Sequence, residues 1–139
     1  MTLKYWNICN MKKFLAITIL FFLAATQNIK AETIPNLIGT WSGENNTFSE
    51  LKGMKTWEKN VQITEQNDRR FKGHFTYSDG TKNFYGIIHP DNITITWVAS
   101  NSRGYNIGKI LDKNKISACY VESGIDATVG CAVLSRTKK

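Results

Sequence analysis

From Leu37 onward, apolar and polar residues alternate with period two, and turn residues break the alternation at short intervals. Successive side chains of a strand point to opposite faces, so this pattern builds sheet with one buried and one solvated face. Eight strands are predicted, at about 37–43, 56–65, 70–77, 81–88, 93–98, 105–110, 115–121 and 129–135. Short strands at this spacing argue for an all-β barrel or sandwich. Only Thr47–Met54 departs from the pattern, and it reads as one short helix or a long first loop.

The hairpins carry a register. Asp79-Gly80 is a two-residue turn of the kind that favours a type I′ hairpin. With Ser78 against Thr81, Phe75 faces Phe84, Gly73 faces Gly86 and Phe71 faces Ile88, all on one face, while Lys72, His74 and Thr76 take the other. The loop His89–Asn92 then sets Ile88 against Ile93 and Phe84 against Trp97, with Ile93, Ile95 and Trp97 inside. In the last hairpin, Cys119 against Cys131 brings Ala118 to Ala132, Ile116 to Leu134 and Val121 to Val129. Short connections favour a meander, and closing eight strands removes both exposed edges. The expected fold is all-β, an eight-stranded antiparallel up-and-down (meander) β-barrel after an N-terminal signal peptide. Facing glycines Gly73 and Gly86 would permit the strand bend a small barrel needs.

The signal is read over residues 1–31. Lys12-Lys13 precede a twelve-residue apolar run from Phe14 to Ala25, and a polar stretch ends at Ala31. The run is shorter than the ~20 residues that span a bilayer, and the layout is that of a secretory signal. Cleavage after Ala31 or after Ala25 fits, and Met11 makes a better start than Met1. No stable membrane span is then expected in the remaining domain, residues 32–139, and the protein is expected to be secreted or periplasmic. Two of its three cysteines, Cys119 and Cys131, lie in that domain, and an even pair in an exported chain points to a disulfide.

Export also changes the charge balance. Eighteen basic residues oppose eleven acidic ones. Lys4, Lys12, Lys13 and Lys30 leave with the signal, which takes the net charge from +7 to +3. The remaining bases are scattered, so a nucleic-acid partner is not expected. No phosphate loop, nucleophile elbow or metal-binding motif occurs. His74 falls on an outer face and His89 in a turn, and the aspartates fall where turn chemistry explains them. No catalytic residue, metal or cofactor is expected, and the chain is not expected to be an enzyme.

The ends of the domain carry a resemblance. Gly39-Thr40-Trp41 on the first strand and Arg136 on the last look like the Gly-x-Trp and terminal-Arg pairing of the calycin superfamily, which includes lipocalins, fatty-acid-binding proteins and avidins. The resemblance implies that Trp41 caps the closed end of a barrel and that Arg136 packs over its ring. Arg over a Trp face is independently worth ~0.5–2 kcal/mol. The second and third lipocalin motifs are absent, and an avidin-type biotin pocket does not align.

The inner face supplies the functional expectation. Trp57, Phe75, Tyr77, Phe84, Trp97, Tyr105 and Tyr120 are placed there, and at the wider mouth they would hold a small hydrophobic or aromatic ligand. An eight-stranded barrel can instead be filled by its own side chains. The protein would then be a protein–protein interaction module, an inhibitor or host-directed factor, acting through residues 44–55 and 99–104. The apolar outer residues Val121, Val129 and Val133 suggest a homodimer face unless residues 45–54 cover them.

Overall fold

The structure, a computed structural model, describes residues 33–77 and 80–137. The signal peptide read over 1–31 and the turn residue Asp79 lie outside the described residues. Eight strands follow in order: β1 (Gly39–Ser49), β2 (Gly53–Asn67), β3 (Arg70–Tyr77), β4 (Gly80–Ile88), β5 (Thr94–Ala99), β6 (Tyr105–Asp112), β7 (Lys115–Glu122) and β8 (Thr128–Arg136). Each pairs with its sequence neighbour, and β8 pairs with β1, which closes the barrel. The meander read from the turn spacing is the observed topology.

Three local expectations are corrected. Thr47–Met54 is neither helix nor loop, because β1 and β2 run through it as a long hairpin with Asn45 opposite Trp57 and Phe48 opposite Met54. The inward residues of this part of β1 are Gly43, Asn45, Thr47 and Ser49. With no apolar residue facing in, the alternation is invisible to a hydrophobicity pattern.

The β3–β4 pairing is displaced by two residues, with Gly73 opposite Phe84 and Phe71 opposite Gly86. Tyr77 pairs with Gly80, so the turn closes one residue earlier than Asp79-Gly80. A shift of two preserves every face, because the side-chain period is also two. The glycines therefore do not face each other. Each sits under the ring of a phenylalanine across the strand: a Cβ on Gly86 would stand 2.3 Å from Phe71 Cζ.

The β4–β5 pairing is displaced in the same way, with Ile88 opposite Ile95 and Phe84 opposite Ala99. Here the cause is Asp91. Its carboxylate accepts from the N–H groups of Ile93 and Thr94 and from the Thr94 hydroxyl, and these bonds lower its pKa to about 2. The turn consequently extends through Ile93, which is 50% exposed rather than inside.

The last hairpin has the register read from the cysteines, including Cys119–Cys131, Ala118–Ala132, Ile116–Leu134 and Val121–Val129. The two cysteines are joined, with Cα atoms 4.0 Å apart. Replacing both by alanine is expected to lower stability by about 2–4 kcal/mol through the freed unfolded chain, read as a fall in the urea midpoint. An unchanged midpoint would mean that strand pairing alone fixes this hairpin.

The lower half of the barrel is closed and apolar. Leu37, Trp41, Ile63, Ile88, Ile95, Ile116 and Leu134 are buried there. Residues 33–38 precede β1 at this end, and Gln66 ties them to β2. Its side chain accepts from Leu37 N–H and donates to the Pro35 carbonyl. Trp41 and Arg136 are directly paired across β1 and β8. The guanidinium carbon lies 4.1 Å from the Trp41 ring centroid, and the same group donates to the carbonyls of Asn36 and Ile38. Arg136 therefore packs over the Trp41 ring at this end of the barrel.

Candidate ligand-binding mouth of the barrel

Above the base, three aromatic side chains fill the lumen. Phe71, Phe84 and Trp97 meet with ring centroids 6.3–6.5 Å apart, within the range for edge-on and tilted aromatic contacts. The void they enclose with Trp41, Val61, Ile63, Ile95, Ile116 and Leu134 is about 10 Å³. That is about the size of one water, and its apolar walls offer a water no partners. Phe84 and Trp97, placed in the ligand set from sequence, are 1% and 5% exposed and belong to this packed layer.

The character of the lumen changes at the next level. Lys59, on the inward side of β2, is 7% exposed. Its Nζ donates to Asn106 Oδ1 at 3.3 Å. In an eight-strand barrel β2 and β6 are on opposite walls, so the lysine stem crosses the lumen and roofs the aromatic layer. Asn106 is 3% exposed and Asn45 is 2% exposed. Asn45 Oδ1 has no hydrogen-bond partner. Across β1 and β2, Asn45 pairs with Trp57 and Gly43 with Lys59, so Asn45 is the diagonal neighbour of Lys59.

This polar layer is energetically costly. Burying an ammonium against neutral partners costs several kcal/mol unless an opposite charge accompanies it. Among the described residues no carboxylate lies within ion-pair distance of Lys59; the ion pairs are Lys72–Glu65 and Lys52–Asp126, both on the surface. Burial accordingly lowers the Lys59 pKa to about 8. The unfolded chain keeps this proton up to the ordinary lysine value, so folding releases it between about pH 8 and 10.5. Stability contributed by this group therefore rises with pH across that window.

The remaining ligand-set residues divide by parity. Trp57, Phe75, Tyr77 and Tyr120 point inward and are half-buried. Phe75 and Tyr77 have centroids 5.8 Å apart, and the Lys82 ammonium lies 5.6 Å from the Tyr77 ring centroid. Tyr120 pairs with Asn106 across β7 and β6. Its hydroxyl bonds to Ser102 Oγ and donates to Glu122, and burial together with Glu122 pushes its pKa up to about 12. Tyr105 does not belong with these residues. It is 46% exposed on the outer face, and its neighbour Asn106 takes the inward position. The sequence reading took the aromatic of this dipeptide as the core residue, but the pleat selects the amide.

Lys59, Asn45 and Asn106 were missed from sequence because a buried lysine or asparagine looks like surface in a polarity pattern. Lys59 nonetheless keeps the parity of Trp57, Val61 and Ile63, and that parity was the available signal. Asn45 and Asn92 each begin an Asn-x-Thr sequon, yet both are buried, so the folded domain offers neither to a glycosylating enzyme.

Two other surfaces bear on function. A recess of about 340 Å³ lies at the base between Pro35, Leu37, Ile110, Lys113 and Arg136. Its guanidinium is already engaged with Trp41 and three backbone carbonyls. On the outside, Tyr85, Val98, Tyr105, Val121, Val129 and Phe48 pair successively across six adjacent strands. All are at least 38% exposed. Phe48 thus extends the apolar face of Val121, Val129 and Val133 rather than covering it.

No protein-family model matches the sequence, and the search of curated proteins returns no match. Among solved structures, the chain is similar to a redesigned β-barrel, mFAP0, bound to DFHBI, at 16% identity with a TM-score of 0.47 over 72% of this chain and 98% of that one. It is similar to a second redesigned barrel, b11L5F_LGL, at the same identity and TM-score over 73% of this chain and 92% of that one.

Proposed function

We propose that the protein is an exported, calycin-like barrel that binds a small molecule in its open mouth, above the Lys59–Asn106 crossing and between Trp57, Phe75, Tyr77 and Tyr120. The observation that carries this reading is the change of chemistry along one lumen. A core built only for stability would continue the apolar packing of the base, whereas here three buried polar side chains form a floor under a ring of half-buried aromatics. Binding sites combine apolar walls with a few placed polar groups in this way. Export is supported by the Cys119–Cys131 bridge, which persists in oxidising compartments. The calycin-like assignment is supported by Arg136 over Trp41.

The test is tryptophan emission during titration with N-phenyl-1-naphthylamine, a neutral aromatic probe, with a charged analogue in parallel. Saturable quenching that disappears in Trp57→Phe and persists in Trp97→Phe is the expected result. No quenching by either probe, or quenching indifferent to Trp57, would contradict binding at the mouth.

A second reading is an interaction module using the outer face, with the homodimer as its simplest form. It is favoured by the six-strand apolar row from Tyr85 to Phe48. Val129→Lys would then convert a dimer to a monomer in sedimentation equilibrium, and a monomeric parent protein would remove this reading.

A further inference from the structure

We infer that Lys59 is an anion receptor inside the barrel, and that the ligand is an amphipathic monoanion whose carboxylate or sulfonate sits on Lys59 Nζ while its flat apolar body lies against Trp57, Tyr77 and Tyr120. The inference rests on the proposed binding role of the mouth and adds the ligand's charge.

The geometry leads there in three steps. The Lys59 ammonium carries three donors and spends one, at 3.3 Å, on Asn106. The opposite wall offers it an amide rather than a carboxylate, and among the described residues no acidic side chain pairs with it. Its diagonal neighbour Asn45 holds a buried oxygen with no partner, which can receive a hydroxyl or N–H beside the acidic head. A bound carboxylate would complete the ammonium, a hydroxyl or N–H elsewhere on the same ligand would complete the Asn45 oxygen, and charge-assisted bonds to an ammonium are about twice as strong as neutral ones. A purely structural strut would not need a charged end or leave a buried acceptor open beside it.

Five titratable side chains share the inward parity around Lys59: Lys55 on β2, exposed at the rim, Tyr77 on β3, Lys82 on β4, and Tyr120 and Glu122 on β7. Glu122 is occupied by the Tyr120 hydroxyl and the Arg103 N–H, and Lys82 lies over the Tyr77 ring. Tyr120 stays protonated well beyond the working range. Lys55 and Lys82 are thus the competing cations among these five, and removal of each is a control.

The experiment compares 1-anilinonaphthalene-8-sulfonate with N-phenyl-1-naphthylamine, which has the same aromatic body without the sulfonate. In the parent protein the sulfonate probe is expected to bind at least about tenfold tighter at pH 7, as for one buried charge pair. That preference should shrink about tenfold by pH 9.5, where Lys59 loses its proton in the free protein. Lys59→Met is expected to bind both probes equally and without pH dependence, while Lys55→Met and Lys82→Met each keep the preference and the slope. Urea unfolding of Lys59→Met, expected to be at least as stable as the parent, confirms that loss of preference is not loss of fold. Equal binding of the two probes to the parent, or a preference that survives Lys59→Met, overturns the anion receptor while leaving the mouth as a binding site. Failure of both probes to bind overturns the binding role itself.

Discussion

Trp41→Ala is expected to lower the free energy of unfolding by about 3–5 kcal/mol, the range for removing a large buried aromatic. The indole is 1% exposed, and its Nε1–H donates to the Leu37 carbonyl at 2.9 Å. Three losses coincide in this substitution. A cavity opens under Ile63, Leu134 and Ile116, which share its lining. The Leu37 carbonyl loses its donor, and the segment before β1 loses its anchor. Arg136 loses the ring beneath it. Arg136→Met keeps the indole and removes the cation–π contact together with the guanidinium bonds to the Asn36, Ile38 and Lys113 carbonyls, and on this exposed side it should cost less, about 1–3 kcal/mol. Urea unfolding followed by circular dichroism measures both. Equal costs for the two variants would show that the guanidinium, rather than the ring, holds the base.

Gly73→Ala is the second large effect. Ordinarily an added methyl in a strand stabilises by roughly 0.5–1 kcal/mol through the unfolded chain. Here an added Cβ would lie 1.9 Å from the Gln62 carbonyl oxygen and 2.7 Å from Phe84 Cζ. The ring can rotate, but the carbonyl belongs to the β2–β3 ladder and cannot move without breaking it. The steric term therefore wins, and the cost should exceed the ~1–3 kcal/mol of ordinary overpacking. The double variant Gly73→Ala with Phe84→Leu relieves the ring contact only, so it should remain destabilised. Recovery in the double variant would assign the clash to the ring.

The parts of this fold written in apolar alternation were legible in the sequence. The eight strands, the meander order and the β7–β8 register follow from it, and Cys119–Cys131 pinned that register independently. Side-chain chemistry at turns was less legible. Asp91 holds Ile93 in the loop and moves the β4–β5 register by two residues, an effect carried by hydrogen bonds rather than by hydrophobicity. The candidate site divides along the same line. Its aromatics Trp57, Phe75, Tyr77 and Tyr120 were found by parity. Its polar floor was not, because Asn45, Lys59 and Asn106 occupy core positions with residues that a polarity pattern assigns to water. The same blindness concealed the upper half of β1, whose inward face is polar throughout. The proposed binding part of the barrel is the part in which local pattern and tertiary position disagree.

That disagreement locates the central claim, which is that the lumen has two storeys with a sealed base and a receptive mouth. The direct measurement is a titration of ¹⁵N-labelled protein with 1-anilinonaphthalene-8-sulfonate, followed by two-dimensional NMR. The side-chain amides of Asn45 and Asn106 and the indole N–H of Trp57 are expected to shift with one common saturation curve, while the indole N–H of Trp41 stays fixed. Shifts confined to Val121, Val129 and Val133 on the outer face, with the three mouth signals unmoved, would contradict it.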